Sequence, residues 1–134
     1  MRLDDGDFSV DGRRARFRPR GVVSLHEAVE AIASAIVQCR EAGIPELLVD
    51  ITGLVGFDPP STGERYVAIG RWAALAGGSV RLAVVARAEM IDAGKFGVIV
   101  AHNRSLVAEI FRSEAEAAAW LDAPDAHGRR GSKA

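Results

Sequence analysis

The chain has 134 residues, the size of one ordinary domain, so a single hydrophobic core is expected. Hydrophobic residues make up 49% of it and charged residues 26%, a balance typical of a globular protein and not of a disordered one. Its 17 Lys and Arg nearly cancel its 18 Asp and Glu, which leaves a net charge of -1 and no overall field that would draw the chain to nucleic acid or to an anionic membrane.

Cysteine use and hydropathy bear on the compartment. Cys39 is the only cysteine, so no internal disulfide forms, and its place on one side of a predicted helix suits a small buried hydrophobe. The first residues are acidic and lack an apolar core, and no apolar run approaches the roughly 20 residues of a membrane span. We therefore expect a cytoplasmic protein that is neither exported nor inserted into a membrane.

The chain opens with a predicted β-hairpin. Two short strands, residues 8–10 and 15–18, flank Asp11-Gly12, a dipeptide that accepts the positive φ angles of a type I′ turn. Along the second strand every other residue is an arginine, so these side chains share one face. An acidic protein or a phosphate backbone would fit this row, but we favour a solvated edge strand whose charge prevents pairing with another sheet. The arginine row consists of Arg14, Arg16, Arg18 and Arg20.

Capping boxes predict the starts of three helices. In each box a serine oxygen and a glutamate three residues later bind the free amides of the first turn. The boxes are Ser24 with Glu27, Ser61 with Glu64, and Ser113 with Glu116. The first helix is predicted to end at Gly43, a residue suited to a left-handed cap. Its apolar stripe consists of Leu25, Val29, Ile32, Ile36 and Cys39.

Between the helices lie short apolar runs typical of strands that are covered on both faces. They are residues 47–51, 80–86 and 107–111. A broken helix is predicted over residues 90–103, where two glycines interrupt a helical pattern. The order ββαβαβαβα predicts an α/β fold with a mixed, mostly parallel sheet, an N-terminal β-hairpin and about four helices. Residues 1–121 form this single domain, and residues 122–134, which lack apolar periodicity, form a disordered tail.

One motif spans the third strand and the start of the next helix. Val49-Asp50-Ile51-Thr52-Gly53 ends the strand, and Asp58 then precedes Ser61-Thr62-Gly63. In kind and order these residues resemble the corresponding motifs of the STAS superfamily, which includes the SpoIIAA-like anti-sigma-factor antagonists. The closing segment, residues 110–121, is similar to the end of the SpoIIAA-like branch, which is grouped by fold with the CRAL-TRIO lipid carriers. The resemblance covers residues 8–121 and implies a SpoIIAA-like fold.

In those antagonists the hydroxyl group of this motif is phosphorylated, so the resemblance implies a phosphoacceptor at Ser61, with Thr62 as the second candidate. A phosphate there would lie at the positive end of a helix dipole. In this chain Pro59-Pro60 separates Asp58 from Ser61. The alternative is that Ser61 only caps the helix, which is a common role of serine at this position.

The second predicted helix is more apolar than one buried stripe requires. Tyr66, Ile69 and Trp72 would form an interface with a second copy or with another protein, because aromatic residues are enriched at interface cores. Phe57 and Phe96 would extend that surface. The alternative is a helix that lies deeper in its own core.

The same side chains would otherwise line a pocket at the carboxyl ends of the strands, where open α/β sheets bind ligands. Arg65, Tyr66 and His102 would supply part of its polar rim. Ser61, Asp92 and His102 are the residue types of a nucleophilic triad, but no Gly-x-Ser-x-Gly elbow frames the serine. Histidines at metal-ligand spacing and a glycine-rich phosphate loop are also missing from the sequence, so we predict no catalytic residue, no cofactor and no metal.

These observations favour a non-enzymatic regulatory or protein-interaction module that acts through residues 52–61 and the helix that follows. Its partner would be another protein or a second copy in a homodimer. The alternative is a carrier or sensor of a small apolar or lipid-like ligand. A carrier requires a cavity lined by apolar side chains, whereas an interaction module requires an exposed patch.

Overall fold

The computed structural model describes residues 8–91 and 106–123 of the chain. Its strands are β1 (Phe8–Asp11), β2 (Arg14–Phe17), β3 (Gly21–Val22), β4 (Glu46–Asp50), β5 (Leu54–Val55), β6 (Arg81–Val85) and β7 (Ala108–Phe111). Its helices are α1 (Leu25–Ala42), α2 (Thr62–Ala76) and α3 (Glu114–Asp122), and Ala88–Met90 forms a single 3-10 turn.

Five strands form the main sheet in the order β1-β2-β4-β6-β7. β1 runs antiparallel to β2, and the neighbours from β2 to β7 are parallel. The predicted α/β class, the opening hairpin and the mostly parallel sheet are thus confirmed. Three helices occur in the described residues. Most of the helix predicted over residues 90–103 lies outside them, and the SpoIIAA-like refinement of the fold stays a prediction.

Two details of the strands differ from the sequence prediction. The hairpin turn lies one residue later, because Asp11 pairs with Arg14 and leaves Gly12 and Arg13 in the turn. Gly12 has a φ of +62°, which glycine adopts without steric cost. In addition, β3 and β5 form a separate parallel ribbon of two strands that was not predicted.

The sheet is covered on both faces, because the side chains of each strand alternate in direction. Leu47 and Val49 of β4 face α1 and α2, which pack side by side on one face. Leu48, between them, faces α3 on the other side of the sheet. Burial on both faces explains why the strands read as continuous apolar runs.

α1 begins and ends as predicted. The hydroxyl oxygen of Ser24 accepts a hydrogen bond from the Glu27 N–H at 3.1 Å, and the Glu27 carboxylate accepts one from the Ser24 N–H at 2.8 Å. Gly43 closes the helix with a φ of +73°. Its buried residues are mostly alanines, together with Ile32, Ile36 and Cys39. Burial also raises the pKa of the Cys39 thiol to about 11, which keeps it protonated.

The arginine row is not on an edge strand, so that prediction is wrong. β2 lies between β1 and β4, and Arg14 at its start and Arg18 just after its end lie on the face that α3 covers. Arg14 donates hydrogen bonds to Glu46 at 3.1 Å and to Asp122 at 2.6 Å. Arg18 donates two hydrogen bonds, both 2.7 Å long, to Glu114. The row therefore holds the two ends of α3 on the sheet.

α3 extends one residue past the predicted domain boundary. Asp122, which was predicted to begin the tail, is helical and binds Arg14. Arg81 also holds this end of the helix, since its guanidinium lies 4.5 Å from the ring centre of Trp120 and donates to the carbonyl oxygens of Trp120 and Leu121 at 3.4 and 3.3 Å. Residues 124–134, the rest of the predicted tail, lie outside the described residues.

Candidate functional site

The segment between β4 and α2, residues 51–61, is called here the β4–α2 loop, and hydrogen bonds fix its start. One carboxylate oxygen of Asp50 accepts hydrogen bonds from the N–H and the hydroxyl of Thr52, at 2.9 and 2.7 Å. Arg87, beyond the end of β6, donates to the carbonyl oxygens of Leu54 and Thr52, at 3.0 and 3.4 Å. These contacts satisfy backbone groups that the loop would otherwise leave unpaired.

The ribbon of β3 and β5 presents two valines side by side to solvent. Val22 and Val55, the valine pair, lie in register and are 60% and 44% exposed. Beside them Gly56 has a φ of +105°, and a Cβ atom there would lie 2.7 Å from the carbonyl oxygen of Val23. Glycine alone permits this angle and this approach, so Gly56 allows the chain after β5 to lie against Val23 beside the valine pair.

Both predicted phosphoacceptors lie at the N-terminus of α2. Ser61 is the N-cap, and its hydroxyl oxygen accepts a hydrogen bond from the Glu64 N–H at 3.1 Å. The Glu64 carboxylate completes the predicted capping box by accepting from the Ser61 N–H at 2.8 Å. Ser61 and Thr62 are exposed. The cap role of Ser61 is therefore confirmed, and its hydroxyl group is open to solvent.

Asp50, the last residue of β4, also contacts the first residue of α3. Burial and a hydrogen bond to Glu114 raise the pKa of the Asp50 carboxyl. The hydrogen bonds from Arg18 lower the pKa of Glu114 to about 2. When this carboxyl pair takes up a proton, Asp50 therefore receives it first, while Glu114 keeps its charge beside Arg18. Asp50 links the β4–α2 loop to α3.

Tyr66, Ile69 and Trp72 do not share the one exposed face of α2 that the sequence predicted. Ile69 is buried, and Trp72 is half-buried with its indole N–H bound to the carbonyl oxygen of Val29 at 3.1 Å. Residues three apart on a helix drift by about 60° per step, so Tyr66 and Trp72 point about 120° apart. The exposed apolar residues of α2 are instead Tyr66 and Val67, which are 47% and 71% exposed.

Behind the β4–α2 loop lies a cavity of about 140 Å³. α1, α2, β6, β7 and the loop all contribute to its wall, which is almost entirely apolar over the described residues. Phe57 and Pro60 enter it from the loop, and Ile69 and Trp72 enter it from α2. The hydrogen bond from Trp72 to α1 fixes the indole ring as one side of the wall.

Charged residues reach the cavity wall at three positions. Glu64 is engaged in the capping box with Ser61. Glu109 pairs in register with Ala83, whose side chain belongs to the α3 face, so its carboxylate lies on that opposite face. Arg65 is half-exposed, and its side chain forms no hydrogen bond or ion pair with the described residues. Among the charged groups of the cavity wall in the described residues, the guanidinium of Arg65 is therefore the one that remains available to bind a ligand.

The remaining predicted site residues lie elsewhere. Asp58 is exposed on the β4–α2 loop and does not contribute to the described cavity wall. Phe96 and His102 lie outside the described residues. The sequence prediction missed the valine pair, although the run Gly21-Val22-Val23 directly before a helix cap is a weak signal of a short strand.

Comparison with models of known protein families gives no match for this chain, and no curated protein matches it. Within residues 8–91 and 106–123 there is no group of three or more His, Cys, Asp or Glu side chains that could hold a metal ion. No helix in this part of the chain has both the length and the apolar character needed to cross a membrane.

Proposed function

We propose that this chain is a non-enzymatic regulatory or protein-interaction domain of STAS type, which binds its partner through the β4–α2 loop and the first turns of α2. The observation that carries the proposal is the valine pair, two large apolar side chains exposed side by side on a ribbon that packs closely at Gly56 and accepts a hydrogen bond from Arg87. Apolar side chains presented together on a surface favour association.

The residues that follow the valine pair along the chain also support a partner-binding surface at this place. β5 leads through the loop to Ser61, so the valine pair and an exposed hydroxyl group belong to one short segment. Phosphate on Ser61 would add about two negative charges at the positive end of α2 and would change the surface offered to a partner. Tyr66 and Val67, one turn farther along, add exposed apolar area.

Site-specific photo-cross-linking in the host cell tests this proposal. A photoreactive phenylalanine analogue at Val55 is expected to give a cross-link to one defined protein or to a second copy, and Val22→Asp is expected to remove that cross-link while the melting temperature holds. Val10, which is 51% exposed on the edge strand β1, is the matched control position. Equal labelling from positions 10 and 55 would show that the valine pair is ordinary surface and would contradict the proposal. Sedimentation equilibrium of the purified chain then shows whether the cross-linked partner is a second copy or another protein.

The cavity favours a second candidate function, that of a carrier or sensor of a small apolar ligand. Its wall is apolar over the described residues, and the β4–α2 loop forms part of it through Phe57 and Pro60. A ligand there would contact Phe57 and Pro60 of the β4–α2 loop, the segment that ends at Ser61. Binding of a hydrocarbon-containing probe to the purified chain, and its loss when the cavity is filled, tests this function.

A further inference from the structure

We propose that the cavity takes an amphipathic monocarboxylate, with a hydrocarbon part of about five or six carbons inside the apolar wall and its carboxylate bound by the guanidinium of Arg65. This inference rests on the second candidate function, in which the cavity is a ligand site. It adds the chemical class of the ligand and the residue that selects it.

The size and lining of the cavity set the hydrocarbon part. A cavity of about 150 Å³ lined by aliphatic and aromatic side chains is large enough for one benzene molecule, and the present cavity measures about 140 Å³. Leu25, Ile32, Ile69 and Trp72 surround it with apolar surface. A chain of about five or six carbons, or one six-membered ring, therefore fits this space.

The charged groups at the cavity wall indicate the polar group of the ligand. Arg65 lies in the first turns of α2, where the helix dipole also favours negative charge. Its side chain has no partner among the described residues, while the nearby carboxylate of Glu64 is held in the capping box. A carboxylate matches a guanidinium with two parallel hydrogen bonds, which a neutral amide or alcohol cannot form.

Calorimetric titration of the full chain with hexanoate and with its neutral isostere hexanamide tests the proposal. We expect hexanoate to bind about tenfold more tightly than hexanamide, since hydrogen bonds to a charged partner contribute roughly twice the free energy of neutral ones, and that difference corresponds to about tenfold in affinity. Arg65→Met should weaken hexanoate binding by about the same factor and leave hexanamide binding unchanged. Arg13→Met, at an exposed turn position of the hairpin, is the matched control and should change neither.

A third variant places the binding in the cavity. Ala68 is 6% exposed and lines the wall, so Ala68→Leu fills space there and should abolish binding of both probes. Its melting temperature shows whether the variant folds, and Ala68→Val is the milder substitute if it does not. Hexanoate binding that survives a folded Ala68 variant would place the site elsewhere and overturn the proposal.

The remaining outcomes separate the proposal from the function on which it rests. Equal affinity for the two probes, unchanged by Arg65→Met but lost on filling the cavity, would leave the ligand-carrier function standing and refute the carboxylate class. No binding of either probe at millimolar concentration would refute both.

Discussion

Arg18, the residue that follows β2, holds the carboxylate of Glu114, the first residue of α3, with two hydrogen bonds of 2.7 Å. The pair is partly exposed, with 48% of the Arg18 side chain and 30% of the Glu114 side chain accessible to solvent. This ion pair joins the start of α3 to the end of β2, and it makes the attachment of the helix dependent on pH.

Glu114→Gln should lower the free energy of unfolding by about 0.5–1 kcal/mol at pH 7, since it removes one charge of a partly exposed ion pair. The Glu114 pKa is lowered from 4.5 to about 2, so the stabilisation is present above about pH 4.5 and is lost as pH falls towards 2. Melting temperatures measured from pH 7 to pH 3 should therefore converge for parent and variant. Glu116→Gln, an exposed neighbour in the same turn, is the control, and an equal loss in both variants would contradict the prediction.

Asp50→Asn should raise the melting temperature at pH 7 by a few degrees, about 2–5 °C for a domain of this size. Burial raises the Asp50 pKa, so its charge destabilises the folded state once pH exceeds the ordinary aspartate range near 4. Asparagine keeps the oxygen that accepts from Thr52 and can donate its amide N–H to Glu114. The gain should thus grow from pH 4 to pH 7. The exposed Asp58→Asn is the control, and a lower melting temperature for Asp50→Asn at pH 7 would refute this account.

Ser61→Ala should cost about 1 kcal/mol, or roughly 3–6 °C, because it removes the cap oxygen of α2. Ser24→Ala, in the identical capping box of α1, should cost a similar amount. Ser61→Asp keeps a capping oxygen at the positive end of the helix, so its stability should stay near that of the parent. If Ser61 is also a switch, only the aspartate variant alters the cross-link from position 55 at an unchanged melting temperature. An unaltered cross-link in both Ser61 variants would leave it with the cap role alone.

Gly56→Ala should destabilise the fold by about 2–4 kcal/mol, because alanine must adopt a strained positive φ and its Cβ would overlap the carbonyl oxygen of Val23. Gly63→Ala is the matched substitution, since a Cβ there meets open space in the first turn of α2. It should be neutral or should stabilise by up to about 0.5 kcal/mol. Urea unfolding of the two variants measures both effects, and similar midpoints would show that the ribbon yields to the added methyl group.

Local signals of the fold could be read from the sequence. The serine and glutamate of a capping box lie three residues apart, so Ser24 with Glu27 and Ser61 with Glu64 identify helix starts without knowledge of the rest of the chain. Gly43 marks a helix end by its own conformational freedom. Apolar runs likewise identified β4, β6 and β7, since burial on both faces leaves a continuous pattern.

Features that depend on distant partners could not be read in this way. The face of Arg14 and Arg18 was correct, but only the pairing of β2 with β4 shows that the strand is internal and that α3 covers the arginines. The valine pair comes from two strands of two residues each, which are too short to show any periodicity. Whether Arg65 forms an ion pair depends on which carboxylates lie near it. The carboxylate of its sequence neighbour Glu64 binds the N–H of Ser61 and not Arg65.

The five strands of the main sheet lie side by side in the order in which the chain supplies them. During synthesis each new strand therefore finds its neighbour already present, and none has to enter between two strands that are paired. The last described helix arrives after all of them, and until then Leu48, Ala83 and Val85 form an open apolar strip on the sheet. A nascent or truncated chain that ends before residue 114 lacks this cover, so the strip stays exposed and favours aggregation at that stage.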